Sequence, residues 1–196
     1  MKKTLLGGIL SAALLLVTSS PTLAANEHVE PMKAIGKSKV TAWLNSPAVI
    51  EAVKAQNAKN AAIGQPDIDK LDKNWRAEVK SGGGDLTKSV LSNALSQYLK
   101  KVKADGKGLY TEIFVMDNKG LNVGQSDVTS DFWQGDEAKW QKTYQAGPNA
   151  VHVSGVSTDE STQTLQSQLS LPIVDPANGQ VIGAVTVGVN VEQLGQ

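Results

Sequence analysis

The sequence predicts an α+β domain: a five-stranded antiparallel sheet with long N-terminal helices packed on one face. Three observations predict it. Apolar residues recur at helical spacing from Pro31 to Gly108 and at every second position afterwards. Two strand pairs in the second half are joined by glycine turns, Asp117-Asn118-Lys119-Gly120 and Asp175-Pro176-Ala177-Asn178-Gly179. Only one helix-compatible stretch, 136–146, separates strands, which argues against a parallel βαβ sheet.

A first helix over about 32–44 presents Val40, Trp43 and Leu44. Ser46-Pro47 starts the next, Ser at the N-cap and Pro in the first turn, with Val49, Ile50, Val53 and Ala61 at near-helical spacing. Gly64-Gln65-Pro66-Asp67 interrupts the pattern, and Asp67 is positioned to cap a helix carrying Ile68, Leu71, Trp75 and Val79. Gly82-Gly83-Gly84 ends it. Asp85 then caps a helix whose wide apolar face holds Val90, Leu91, Ala94, Leu95, Tyr98, Leu99 and Val102, before Gly106-Lys107-Gly108 stops it. Strands follow over 110–116, 121–126, 151–156, 162–174 and 180–189. Trp43, Trp75, Leu95 and Leu99 read as packing residues under the helices.

The N-terminus carries Lys2 and Lys3, an apolar run over 5–17 and a small-residue exit, Thr22-Leu23-Ala24-Ala25. This is the pattern of a secretory signal peptide. Cleavage after Ala24 leaves a domain over 25–196, with a helical lead-in over about 31–106 and a sheet-forming part over about 109–191, in the periplasm. The apolar run is shorter than the roughly 20 residues a membrane span requires, and no later segment is as apolar. Without the leader the chain has 17 basic and 19 acidic residues, a net charge of −2, which argues against a nucleic-acid partner. With no cysteine, stability has to come from a hydrophobic core.

The sequence gives little support to catalysis or to a cofactor. His28 and His152 are the only histidines, and no nucleophile elbow, Walker loop or zinc-helix motif occurs. Asp127, Asp131, Asp136 and Glu137 form an acidic cluster. Either they cap the short helix that follows or they offer oxygen ligands to Ca²⁺; the spacing lacks the alternation of an EF-hand and favours capping. Trp133, Trp140 and Tyr144 stand seven and four residues apart, so a helix reaching back to Trp133 aligns them on one face. Two readings stay open: an aromatic stripe in a core, or pocket walls with Asp131, Gln134 and Lys139 as orienting polar groups. Trp133, beside Gly135, is the first candidate for ligand contact, and Trp140 reads as core. Along 162–170 one strand side carries Thr162, Thr164, Gln166, Gln168 and Ser170. That side faces either water or a polar ligand.

The stretches YTEIFVMDNKGLNVGQS, SDFWQGDEAKW and LSLPIVDPANGQVIGAVTVGVNV, preceded by SPAVIEAVKAQNAKN and IDKLDKNWRAE, resemble extracytoplasmic PAS-like sensor domains, called Cache or PDC domains. The resemblance covers about 46–191. It implies a PAS-like sheet and a small polar ligand, such as a carboxylate or an amino acid, held between the sheet and the segment 128–147. It also implies a membrane receptor or sensor kinase as partner and admits a homodimer through the long N-terminal helix. The family's receptors lie between two membrane helices; here the first helix is cleavable and the chain ends at Gln196, so a free-standing periplasmic form is expected. Arg76, the only arginine, or else Lys139, is the cation available for a carboxylate. A docking module with no ligand of its own is the second reading.

Overall fold

A computed structural model describes residues 26–158 and 163–194. The expected signal peptide, 1–24, and the expected strand start at residue 162 lie outside the described residues. Among those described, no helix is long and apolar enough to cross a membrane.

The N-terminal helix starts earlier than its periodicity suggests. It consists of α1 (Val29–Ile35), a π-helical turn (Gly36–Val40) and α2 (Thr41–Leu44). The wide turn is held by Thr41 Oγ1, which donates to Gly36 O at 2.8 Å. α3 (Pro47–Lys59) begins as the Ser-Pro pair predicts, with Val49, Ile50 and Val53 buried, but it ends before Ala61, which is exposed. α4 (Gln65–Lys80) has Gly64 at its N-cap. Asp67 serves from inside the first turn, its Oδ2 accepting Gly64 N at 3.1 Å.

The helix expected from Asp85 is two helices, α5 (Asp85–Leu91) and α6 (Ala94–Asp105). Asn93 makes the break: its Oδ1 accepts Ser96 N at 2.8 Å, while its Nδ2 donates to Val123 O at 2.8 Å. That side chain caps α6 and ties it to the sheet in one step. Gly84, and not Asp85, is the N-cap of α5. The N–H groups of Leu86 and Thr87 go to the Glu78 carboxylate of α4, at 3.2 and 2.7 Å.

Those hydrogen bonds, the Thr87 N–H first, hold Glu78 below its ordinary value of 4.5. Its folded pKa lies below the unfolded one, so its contribution to stability is complete above pH 4.5 and is lost as pH falls through the depressed value. Glu78→Gln is expected to flatten the acid limb of a stability-against-pH curve. Denaturant titrations of the two proteins from pH 6 to about pH 3 check this, and superimposable limbs would show that the cap carries no pH dependence.

The sheet comprises β1 (Tyr110–Met116), β2 (Asn122–Gln125), β3 (His152–Val153), β4 (Ser157–Thr158), β5 (Leu165–Val174) and β6 (Val181–Asn190). The order is β2-β1-β6-β5, with β3 and β4 both on the outer edge of β5 and every pairing antiparallel. It therefore counts six strands, not five. The expected strand over 151–156 is reduced to His152–Val153, with β4 following beyond its expected end, and at Ser154 the side chain enters the ladder: Oγ accepts Gln168 N at 2.8 Å and donates to Gly155 O at 2.8 Å. β3 and β4 both pair with the outer edge of β5, so the antiparallel sheet has five positions across.

Helices cover one sheet face. Val40, Leu44, Val49, Val53, Leu95 and Leu99 pack against Ile113, Val115, Leu169, Ile173, Val185 and Val187, all buried. Trp75, buried as expected, sits elsewhere: α4 and α5 enclose it with Ile68, Val90, Leu121 and Phe132 beside the β1–β2 hairpin. Trp43 is only half-buried, at the margin of the main core. A third cluster, Phe114, Met116, Trp140 and Ala184, lies on the sheet's other face.

Candidate functional site

Apolar side chains claim the helix-facing side of each central strand, which decides what the opposite side presents. Ile113 and Val115 of β1 and Leu169 and Ile173 of β5 point into the helical core. By alternation Glu112 and Phe114, and Gln166, Gln168 and Ser170, face the other way. The polar run does not lie against bulk water: Gln166 and Ser170 are buried, and the Ser170 and Thr186 hydroxyls are hydrogen-bonded at 2.9 Å. A bulge between Tyr110 and Glu112 turns Thr111 to this face as well, where its Oγ1 donates to Gln166 Oε1. Gly188 on β6 makes room, because a Cβ there would run into Thr111 Oγ1 and come within 2.7 Å of Gln166 Oε1.

The segment after β2 spans this face and is fixed mainly by α4. Asp72 Oδ1 accepts the N–H groups of Phe132 and Trp133 at 2.9 and 3.0 Å, and Trp75 Nε1 donates to Thr129 O at 2.8 Å. Arg76 reaches Asp72 at 2.7 Å and Asp131 at 2.9 Å. Asn122 Nδ2 donates to Thr129 Oγ1 and Asp131 O from below. Polar groups on α4 and β2 thus fix the segment's backbone, while Phe132 anchors it in the Trp75 cluster.

Between sheet and segment lies a cavity of about 410 Å³. Thr111, Glu112, Phe114 and Gln168 form its floor, residues 127–130 its lip, and Gln134 and Lys139 its far wall. Gln168 Nε2 donates to Glu112 Oε1 at 2.8 Å. Lys139 Nζ stands 5.3 Å from the centre of the Phe114 ring, 3.2 Å from Gln134 Oε1 and 2.9 Å from Glu137 Oε2. Asp127 is gripped through both oxygens by Lys103 of α6, at 2.6 and 2.7 Å. The cavity therefore offers an ammonium, carboxylates, amides and hydroxyls beside one aromatic face, a set suited to orienting a small polar molecule.

Of the residues singled out from sequence, Gln134 and Lys139 line this cavity. Trp133 does not. It pairs with Leu121 in an antiparallel bridge, donates from Nε1 to Lys119 O at 2.8 Å and packs at the edge of the Trp75 cluster. That bridge keeps the short helix α7 (Ala138–Gln141) from reaching back to Trp133. Asp131 is taken by Arg76. Trp140 is buried behind Phe114, donates to Asp117 O at 3.0 Å and stacks on Tyr144, ring centres 4.8 Å apart. Burial raises the Tyr144 phenol above its ordinary value.

Three of the four acidic residues of the cluster go to separate cations, Asp127 to Lys103, Asp131 to Arg76 and Glu137 to Lys139, and Asp136 is exposed. None of its side chains caps α7, whose N-cap is Glu137 without a side-chain bond. Among the described residues no group of three or more His, Cys, Asp or Glu is placed to hold a metal ion. His152 on β3 lies below its usual pKa, chiefly through burial and then through Lys142 and Lys139. Arg76 is raised by its bond to Asp72 and lies outside the cavity lining, leaving Lys139 as the lining cation. Thr111, Glu112, Phe114, Asp127 and Gln168 also line the cavity, though sequence put none of them forward as a ligand contact alongside Trp133. The signal for three of them was present in the alternation of 110–116 and in the polar run of β5.

Neither a protein-family model nor a curated protein matches the chain. Among solved structures it is similar to the sensor domain of DcuS from E. coli, at 12% identity, covering 84% of this chain and 95% of that one, with a TM-score of 0.45. It is similar to the sensor domain of the histidine kinase DctB from V. cholerae, at 14% identity and a TM-score of 0.39, covering 89% of this chain and 60% of that one. The ligand-binding domain of the Campylobacter jejuni chemoreceptor Tlp3, in complex with 4-methylisoleucine, is similar at 15% identity and a TM-score of 0.39, with 90% and 65% covered. The chain thus spans 60% and 65% of the length of the latter two. Two of these solved structures are sensor domains and the third is the ligand-binding domain of a chemoreceptor.

Proposed function

We propose that this protein is a non-catalytic sensor-type binding domain, exported to the periplasm by its N-terminal leader, that takes a small polar metabolite and passes the signal or the solute to a membrane partner. The observation that carries the reading is the 410 Å³ cavity, where Thr111, Glu112 and Gln168 of the sheet lie beside Phe114 and under the covering segment, a few placed polar groups in a cleft of ligand size. Lys139 offers an ammonium for a carboxylate, and Glu112 and Asp127 offer carboxylates for an amine, which supports an amino acid or a similar small acid as the ligand class. Gln134, Gln168 and Thr111 supply the hydrogen bonds that fix orientation.

Thermal-shift and calorimetric titration of the protein against amino acids and small carboxylates tests this. A ligand at 100 times its dissociation constant adds about 2.7 kcal/mol of stability, a rise in melting temperature that is easily read. Lys139→Gln is expected to weaken that ligand about tenfold or more, whereas Trp133→Ala leaves its affinity within about twofold. Equal affinity in wild type and Lys139→Gln would remove the site from this cavity. A protein that no small molecule stabilises would instead act as a docking module on the ectodomain of a membrane sensor.

A further inference from the structure

A second cavity, of about 690 Å³, opens where the end of α6, the start of β1 and the N-terminal helix meet. Its walls are aromatic: Trp43, Tyr98 and Tyr110, the last two being two of the three tyrosines in the chain. Gly106 lets the Tyr110 ring lie flush, since a Cβ there would stand 2.6 Å from Tyr110 Cδ2. The Tyr98 hydroxyl donates to Trp43 O at 3.3 Å and fixes those two walls together. Burial raises the Tyr110 phenol above its ordinary value, and a side-chain hydrogen bond with Trp43 opposes that, tying the third wall to the first.

The rim is cationic. Lys39, Lys101 and Lys107 stand there against the single carboxylate of Asp105, and among the described residues none of the three ammoniums is in an ion pair. Lys107 is held at φ +49°, in the left-handed region that favours glycine, although its neighbours on both sides, Gly106 and Gly108, are glycines. Lys107 is the first residue past the Gly106 C-cap of α6, its N–H donating to Ala104 O at 3.0 Å, so the left-handed conformation ends the helix and sets the ammonium at the mouth of the cavity.

We propose that this cavity binds a planar organic anion of the aromatic carboxylate class, with its ring against Trp43, Tyr98 and Tyr110 and its charge toward Lys101 and Lys107. Aromatic walls select a flat apolar body, and three lysines against one carboxylate in the lining select a negative charge. This site shares no lining residue with the 410 Å³ cavity, so each stands or falls alone.

The test uses benzoate as probe, benzyl alcohol as the same ring without the charge, and hexanoate as the charge without the ring. Calorimetry and saturation-transfer NMR on the wild-type protein are expected to show benzoate bound at least about tenfold more tightly than either control. Lys107→Gly is expected to raise the melting temperature, by relieving the left-handed strain, while weakening benzoate about threefold or more. Lys139→Gln leaves benzoate binding unchanged. Three probes bound alike, no binding of benzoate, or a Lys107→Gly protein that binds it as before would overturn the proposal. So would a loss of benzoate binding in Lys139→Gln, which would place the probe in the other cavity.

Discussion

Trp75→Ala is expected to lower stability by about 3–5 kcal/mol, the largest effect of any single aromatic truncation in this chain. The indole has no exposed surface, stacks on Phe132 with ring centres 5.2 Å apart, and donates from Nε1 to Thr129 O. Truncation leaves a void between α4 and the lip that the surrounding helices cannot fill, and it strands a buried carbonyl. Trp75→Phe separates the two contributions, because it keeps most of the volume and loses only the hydrogen bond, at about 1 kcal/mol. Urea titrations of both variants give the answer; a loss below about 1 kcal/mol for the alanine variant would mean that the α4 layer is not part of the cooperative core.

The second large effect is expected at Asp117. The residue is fully buried, and its carboxylate collects four donors from three places. Oδ1 accepts the N–H groups of Lys119 and Leu121 at 2.8 and 2.9 Å, closing the β1–β2 turn. Oδ2 accepts Gln56 Nε2 and Asn60 Nδ2, at 3.0 and 3.1 Å, from α3 and the residue that ends it. Asp117→Ala removes the acceptor and leaves these donors facing one another, which costs about 3 kcal/mol or more. Asp117→Asn keeps the shape but turns an amide N–H₂ toward groups that are already donors, so it recovers less than half of that loss. An asparagine variant as stable as wild type would show that the turn, and not the carboxylate, holds the hairpin to α3.

The strands were legible because sheet periodicity and turn chemistry agree: the run 110–116 and the two glycine turns lie where the pattern puts them. What pattern alone does not carry is side-chain competition with the backbone. Asn93 breaks an apolar helical face that reads as continuous, Ser154 enters a strand ladder through its side chain, and Gly64 and Gly84 take N-cap places that aspartates three and one residues later were expected to hold. The candidate site was legible only in part for a similar reason. Gln134 and Lys139 were visible as polar groups near aromatics, but the face of β1 and β5 that meets them depends on where the helices dock, which no strand records by itself. The spacing of Trp133 from Trp140 and Tyr144 matches a helix, while its backbone is bridged to Leu121 as extended chain, which the spacing does not reveal.

Gly188 gives the cavity floor an unusual kind of author: the room above β6 is specified by an omitted atom. A residue that contributes no side chain shapes the cavity floor, because one methyl group at that position competes for the space that the Thr111 hydroxyl and the Gln166 amide occupy. Chains that share this sheet order but carry alanine at the equivalent point of the closing strand would have to rearrange that floor, and a pocket inventory drawn only from side chains would overlook why.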